Sequence, residues 1–282
     1  MKKNQTKKAF IIVLSIFTVI SGCTRKNDNV EEAETQPLTE VTQHDRSAVA
    51  TRHLPKDSRP EKLPEHLFAS ESEGGKTRIE DYNLMIESDG DNPVNYFNRG
   101  VFYMNSGEFR TALSDFTQAL RLNPEMIEAY NNRGNAYKQL GMFKEAVSDY
   151  TSAIKIDPEL SGLYLNRGIA YRNLEDFEKA HSDYDRSLEL DPENRNAYIA
   201  RGRLRLLLSD FEKALSDCSK ALEIDQLSHD AFLTRGLAYM YLEDFDKSAA
   251  DLNEFLRLAG NSLGNAAEVR NIIKNMRREP LY

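Results

Sequence analysis

From Pro93 onward, apolar residues fall at steps of three and four, the spacing that gathers them on one face of a helix. Leu113, Phe116, Leu120 and Leu122 trace one such stripe. Gly107, Gly141, Glu175, Ser209 and Glu243 interrupt the stripes at regular intervals and mark turns between helices. Pro124, Pro158 and Pro192 end the second helix of a pair, because proline lacks an N–H and pushes the preceding residue out of the α region. No stretch alternates with period two, so strands are not expected. The pattern predicts an all-α chain of paired helices.

The pairs are copies of one unit. Arg-Gly recurs every 34 residues, at Arg99-Gly100, Arg133-Gly134, Arg167-Gly168, Arg201-Gly202 and Arg235-Gly236. In register this gives units 93–126, 127–160, 161–194, 195–228 and 229–262. Position 4 is aromatic throughout, from Tyr96 to Phe232, and position 17 is always Phe. Position 20 is small (Ala112, Ala146, Ala180, Ala214, Ser248) and position 24 is Phe116, Tyr150, Tyr184, Cys218 and Leu252. Glycine costs a helix interior about 1 kcal/mol relative to alanine, so glycine at position 8 in every copy implies close helix packing.

These residues resemble the tetratricopeptide repeat, a helix-turn-helix unit with aromatic, glycine, tyrosine, alanine and proline at these positions. The resemblance covers about 170 of the 282 residues. It implies a right-handed superhelical solenoid with polar-backed ends. Residues 76–92 fit a degenerate N-terminal capping helix, with Tyr82 and Met85 near the expected register. Residues 263–282 fit a C-terminal cap whose apolar stripe is Val269, Ile272, Ile273 and Met276. Arg at position 7, where the family usually has Leu, is the main departure. The fourth copy also has Arg205 at the Tyr position and Gln226 at the Pro position.

In such arrays the first helices line a groove, and positions 2, 5, 6, 9, 12 and 13 contact ligands. Carried over, the resemblance implies a peptide-binding groove with a polar early half: Asn98, Asn131, Asn132, Asn135, Lys138, Asn166 and Arg172. Arg203 follows, and then an apolar late half with Leu206, Leu233, Leu237 and Tyr241. Paired amides can bond a peptide backbone in either sense, and Lys138, Arg172 and Arg203 could hold an acidic group. The competing reading leaves the amides solvated and packs the Leu stripe against the cap or a second copy, as in a homodimer.

Every copy also has Asp at position 23: Asp115, Asp149, Asp183, Asp217 and Asp251. With Arg99, Arg133, Arg167, Arg201 and Arg235 these predict a structural ladder, because the guanidinium fork matches a carboxylate. The partners could stand 16 residues apart within a unit or 18 residues on to the next.

The front of the chain is different. Lys2, Lys3, Lys7 and Lys8 precede an apolar run from Ala9 to Ile20, too short to span a bilayer, and Ile20-Ser21-Gly22-Cys23 follows. This resembles a bacterial lipoprotein signal over residues 1–22, which implies cleavage and lipidation of Cys23. Thr24 stands where Asp would retain the protein at the inner membrane. The expected location is therefore the outer membrane facing the periplasm in a diderm cell. In a monoderm cell it is the outer face of the plasma membrane. Residues 23–75, rich in polar residues, read as a flexible tether whose r.m.s. span is roughly 40 Å.

Charge and chemistry narrow the function. Formal charge is −8, and loss of the four signal lysines leaves −12. That excludes general nucleic-acid binding, which needs basic stripes. No histidine sits at metal-ligand spacing, and no phosphate loop or nucleophile elbow occurs, so neither metal, cofactor nor enzyme activity is expected. The expectation is a lipid-anchored scaffold that binds protein or peptide partners in the cell envelope. A host-facing surface factor and a pilotin-like assembly lipoprotein share the layout and remain open.

Overall fold

The computed structural model describes residues 79–260 and 266–276. The expected signal, Cys23, the tether and the ends of the two expected caps lie outside the described residues. Twelve α-helices and no strand occur among the described residues. They are α1 (Ile79–Ser88), α2 (Pro93–Asn105), α3 (Phe109–Leu122), α4 (Ile127–Gln139), α5 (Phe143–Ile156) and α6 (Ser161–Asn173). They continue with α7 (Phe177–Leu190), α8 (Arg195–Leu207), α9 (Phe211–Ile224), α10 (His229–Tyr241), α11 (Phe245–Ala259) and α12 (Ala266–Met276).

Two compact units divide at Leu174 and Glu175, inside the third copy. The N-terminal unit contains α1–α6 and the C-terminal unit α7–α12, and within each, consecutive helices pack on one another.

Local sequence fixes the helix ends. Asn92 caps α2 by accepting from Val94 N at 3.0 Å, with Pro93 in the first turn where its missing N–H costs nothing. Buried Asn95 donates to the carbonyls of Met85 and Asp89, both at 3.1 Å, and so ties α1 to α2. After each inner second helix, Asn123, Asp157, Asp191 or Asp225 accepts from the backbone N–H two residues on. Asp225 keeps this turn although Gln226 replaces proline, so the side-chain turn carries the connection without the ring.

The tight turn inside a pair needs a left-handed residue. Gly107 and Gly141 supply it with φ of 77° and 74°, and Glu175, Ser209 and Glu243 hold φ of 61° to 62° at the same position. Those three carry the strain that glycine avoids.

The core repeats with the unit. Positions 20 and 24 are fully buried in all five copies. A Cβ on Gly100 would stand 2.7 Å from the Phe116 ring, and one on Gly134 would stand 2.7 Å from Tyr150. Position 8 is therefore glycine because position 24 lies against its backbone. In the fourth copy Cys218 is the facing residue, and its sulfur would be 3.0 Å from a Cβ on Gly202. Burial pushes the Cys218 thiol up to about 12, with Asp217 adding to the effect, which leaves it a core residue rather than a nucleophile. Ser248, also fully buried, donates to the Gly236 carbonyl at 2.8 Å, so its hydroxyl is satisfied.

Candidate functional site

The arginines at position 7 are half-buried and bind inward. Arg99 reaches Asp115 through Nε and Nη2 at 2.9 and 2.8 Å, Arg133 reaches Asp149 at 2.8 and 2.7 Å, and Arg235 reaches Asp251 at 2.7 and 2.9 Å. Arg201 does the same with Asp217 at 3.0 and 2.7 Å. The separation is 16 residues, within the unit. Arg167 and Asp183 belong to different compact units; Asp183 is buried on α7.

A third contact was not legible from the Arg–Asp pair. The remaining Nη1 of each arginine donates 16 residues backward: to Asn83 at 2.8 Å, Thr117 at 3.2 Å, Thr151 at 3.2 Å, Asp185 at 2.7 Å and Ser219 at 3.4 Å. These residues recur every 34 positions at position 25 of the preceding unit, and every one is polar. The aromatic at position 4 lies 5.6 to 5.9 Å from the same guanidinium. Arginine at position 7 thus joins two helices of its own unit to the unit before it, a task for which the usual leucine has no donors. Asn83 also places α1 in register as the second helix of a preceding unit.

The fourth copy loads this junction further. Arg205, at the Tyr position, donates to Asp217 at 2.7 Å, so Asp217 accepts from two guanidiniums. Asp185, bonded to Arg201, also pairs with His181 at 3.1 Å.

The expected groove residues divide along the same line. In the N-terminal unit, the amides form a connected row across α4 and α6. Asn166 donates to Asn131 at 3.1 Å, and the fully buried Tyr150 donates its hydroxyl to Asn135 at 2.8 Å. Asn132 is turned to its own helix, donating to the Glu128 carbonyl at 3.0 Å. Asn98 on α2 is half-buried, and Lys138 and Arg172 occupy the same register position on α4 and α6. Burial, with repulsion from Arg172 as the second cause, lowers the Lys138 pKa to about 8. The residue as a whole is half-buried, so the desolvation falls mainly on its ammonium end.

In the C-terminal unit the expectation is corrected. Leu237 is fully buried, in one cluster with Leu206, Leu233, Phe255 and the α12 residues Val269, Ile272 and Ile273. A ligand cannot reach it; the apolar stripe packs into the chain's own core together with the last helix. Tyr241 is half-buried and stacks on Phe211 with ring centroids 4.7 Å apart. Arg203 is not available for an acidic ligand either, because it holds Asp230 at 2.5 Å. Arg195 pairs likewise with Asp225. Burial works to raise the Asp230 pKa, but Arg203 and His229 pull it well below the usual carboxylate range. Asp230 in turn raises the pKa of His229, against burial, across an ion pair of 3.6 Å. The sequence signal was there: Asp225 and Asp230 follow the groove-facing cations by a little less than one repeat.

A shallow cleft is lined by Phe245, Ala249, Asn253 and Met276, and no expected groove residue borders it. Among the described residues no cluster of three His, Cys, Asp or Glu could hold a metal, and no helix is long and apolar enough to cross a membrane.

Family comparisons agree with the architecture. Tetratricopeptide repeat models match residues 127–160, 162–194 and 229–262, and a TPR repeat model matches 102–141. Among solved structures, YrrB, described as a TPR protein with an unusual peptide-binding site, is 24% identical with a TM-score of 0.53. The match covers 69% of this chain and 100% of that one. TTC0263, a thermophilic TPR protein of Thermus thermophilus, is 20% identical (TM-score 0.53; 66% and 98% covered). A tetratricopeptide repeat protein from Parabacteroides merdae is 19% identical (TM-score 0.56; 71% and 77% covered). At these identities the likeness concerns the fold. No curated protein matches the sequence.

Proposed function

We propose that this chain, which carries tetratricopeptide repeats, is a lipid-anchored scaffold that binds an extended peptide segment on the first helices of its N-terminal unit. A TPR fold supports protein or peptide binding in general, and it speaks against no particular partner. One observation carries the choice of face. The amide row of Asn131, Asn135 and Asn166 is held in place from below by Tyr150, while the equivalent face of the C-terminal unit is occupied by Arg203–Asp230 and by Leu237 in the core. A fixed amide presents its free donors without first losing rotamer freedom, which is what makes a preorganised surface bind.

The peptide-binding site described for YrrB is consistent with this reading. Anchoring rests on the sequence at Cys23 alone. Two acyl chains or more would make it stable, as one chain would not. The cell envelope then follows as the place of work, with recruitment of other envelope proteins as the task.

Two measurements test the two halves. Crosslinking and pull-down from native membranes should recover partners with the wild type and lose them with an Asn131→Ala, Asn135→Ala, Asn166→Ala variant of unchanged helicity. Equal recovery would remove the face from consideration. Metabolic labelling with a palmitate analogue should mark the wild type and not Cys23→Ser; a labelled serine variant would end the anchor proposal.

A further inference from the structure

The cations on the first-helix faces fall into two classes. In the C-terminal unit, Arg195 and Arg203 each hold a carboxylate of the chain itself, Asp225 and Asp230. In the N-terminal unit, Lys138 has no hydrogen-bond or ion-pair partner among the described residues. Its nearest charged influence is another cation, Arg172, at the same register position on the adjoining helix α6. A desolvated ammonium beside a guanidinium is an unfavourable arrangement for the free protein. It becomes favourable when an anion arrives, since charge-assisted hydrogen bonds are about twice as strong as neutral ones.

The groups beside Lys138 point the same way. Asn135 lies three residues before it, and Asn131 seven, both on the face shared with Lys138. The Asn135 carboxamide oxygen accepts from Tyr150, and that of Asn131 accepts from Asn166. Each side chain therefore directs its NH2 group outward as the available function. The result is a row of donors, two amide and one ammonium, ending at Arg172. The chain as a whole is acidic, with formal charge −8, so this cationic corner is a local feature and not part of a basic surface.

We infer that the Lys138–Arg172 corner receives a carboxylate carried by the bound peptide segment, while the NH2 groups of Asn131 and Asn135 donate to the peptide carbonyls next to it. This rests on the peptide-binding reading of the same face. The carboxylate can belong to an Asp or Glu side chain or to a peptide C-terminus. Both present the same pair of oxygens, and a terminal carboxylate also ends the chain at the corner.

The test uses the full chain, immobilised, and degenerate peptide pools. One pool carries a central Glu and an amidated end, a second carries Gln in its place, and a third carries Gln with a free terminal carboxylate. Retention of the Glu pool over the Gln pool, or of the free-acid pool over the amidated Gln pool, should be about tenfold, as expected for one hydrogen bond to a charged group. Which of the two is enriched identifies the source. Lys138→Met, a neutral side chain of similar length, should bring the ratio to about one, and Lys138→Arg should restore it. Circular dichroism confirms that each variant folds. Retention of all three pools in equal amounts overturns the inference and leaves the peptide-binding face standing, as does a ratio unchanged in Lys138→Met. Retention of none above bare resin overturns both.

Discussion

The two units are built from one repeat and put the same helix face to different uses. In the N-terminal unit the face carries amides and an unpaired ammonium; in the C-terminal unit the matching positions are taken by ion pairs and core leucines. The scaffold positions are nearly constant between them: glycine at 8, a small residue at 20, aspartate at 23. Repetition thus fixes how helices stack, and the positions that stacking leaves free separate a surface that can bind from one that is closed.

The largest expected effect tests how unequally the ladder is loaded. Asp217→Ala strands both Arg201 and Arg205, whereas Asp149→Ala strands Arg133 alone. Removing one member of a buried pair costs about 3–5 kcal/mol. Urea unfolding should show Asp217→Ala as the more damaging, with hydrogen exchange rising first in α8 and α9. Equal losses would mean that Arg205 adds nothing at the junction.

Next in size is the glycine contact. Gly134→Ala drives a methyl into the Tyr150 ring and should cost about 1–3 kcal/mol, while Gly202→Ala meets the smaller Cys218 and should cost less. Because Tyr150 also positions Asn135, Gly134→Ala should weaken peptide retention as well. A Gly202→Ala variant that binds less than Gly134→Ala would contradict the division between units.

The pH responses should run in opposite directions. Lys138 falls from 10.5 in the unfolded chain to about 8 when folded, so its burden on stability is complete below pH 8 and disappears as pH rises toward 10.5. His229 is raised above 6.5, so its contribution is present below pH 6.5 and is lost as pH climbs through its folded value. Lys138→Met should flatten the alkaline rise, and His229→Gln should flatten the loss near neutrality. Thermal melts across about pH 5.5 to 10 check both.

The smallest effect concerns the turns. Ser209→Gly relieves a left-handed serine and should stabilise the C-terminal unit by up to about 1 kcal/mol, whereas Gly141→Ser should cost the N-terminal unit a similar amount. The same sign for both would remove strain as the explanation.

Legibility in the sequence followed the same boundary. The helix pairs, their 34-residue spacing and the Arg–Asp pairing within copies were readable, because periodicity and complementary charge are local or strictly repeated signals. The position-25 contacts went unnoticed although they repeat just as strictly, since Asn, Thr, Asp and Ser look unrelated until one guanidinium is seen to require an acceptor from each. Leu237 was misplaced for a different reason. A leucine at a groove position reads alike whether solvent, a ligand or the final helix lies over it.

The sequence by itself determined the repeat, its helix boundaries and the identity of the residues that face outward from the first helices. These depend on spacing along one chain and on the chemistry of single residues. Only the tertiary structure decided which outward-facing residues are spent. Arg203 is neutralised by Asp230, 27 residues away, and Leu237 is buried in a cluster with Val269 of the last helix, whereas Lys138 meets no acceptor among the described residues. Whether a charge or an apolar side chain is free depends on what other segments bring within a few ångströms of it, and no single repeat contains that information.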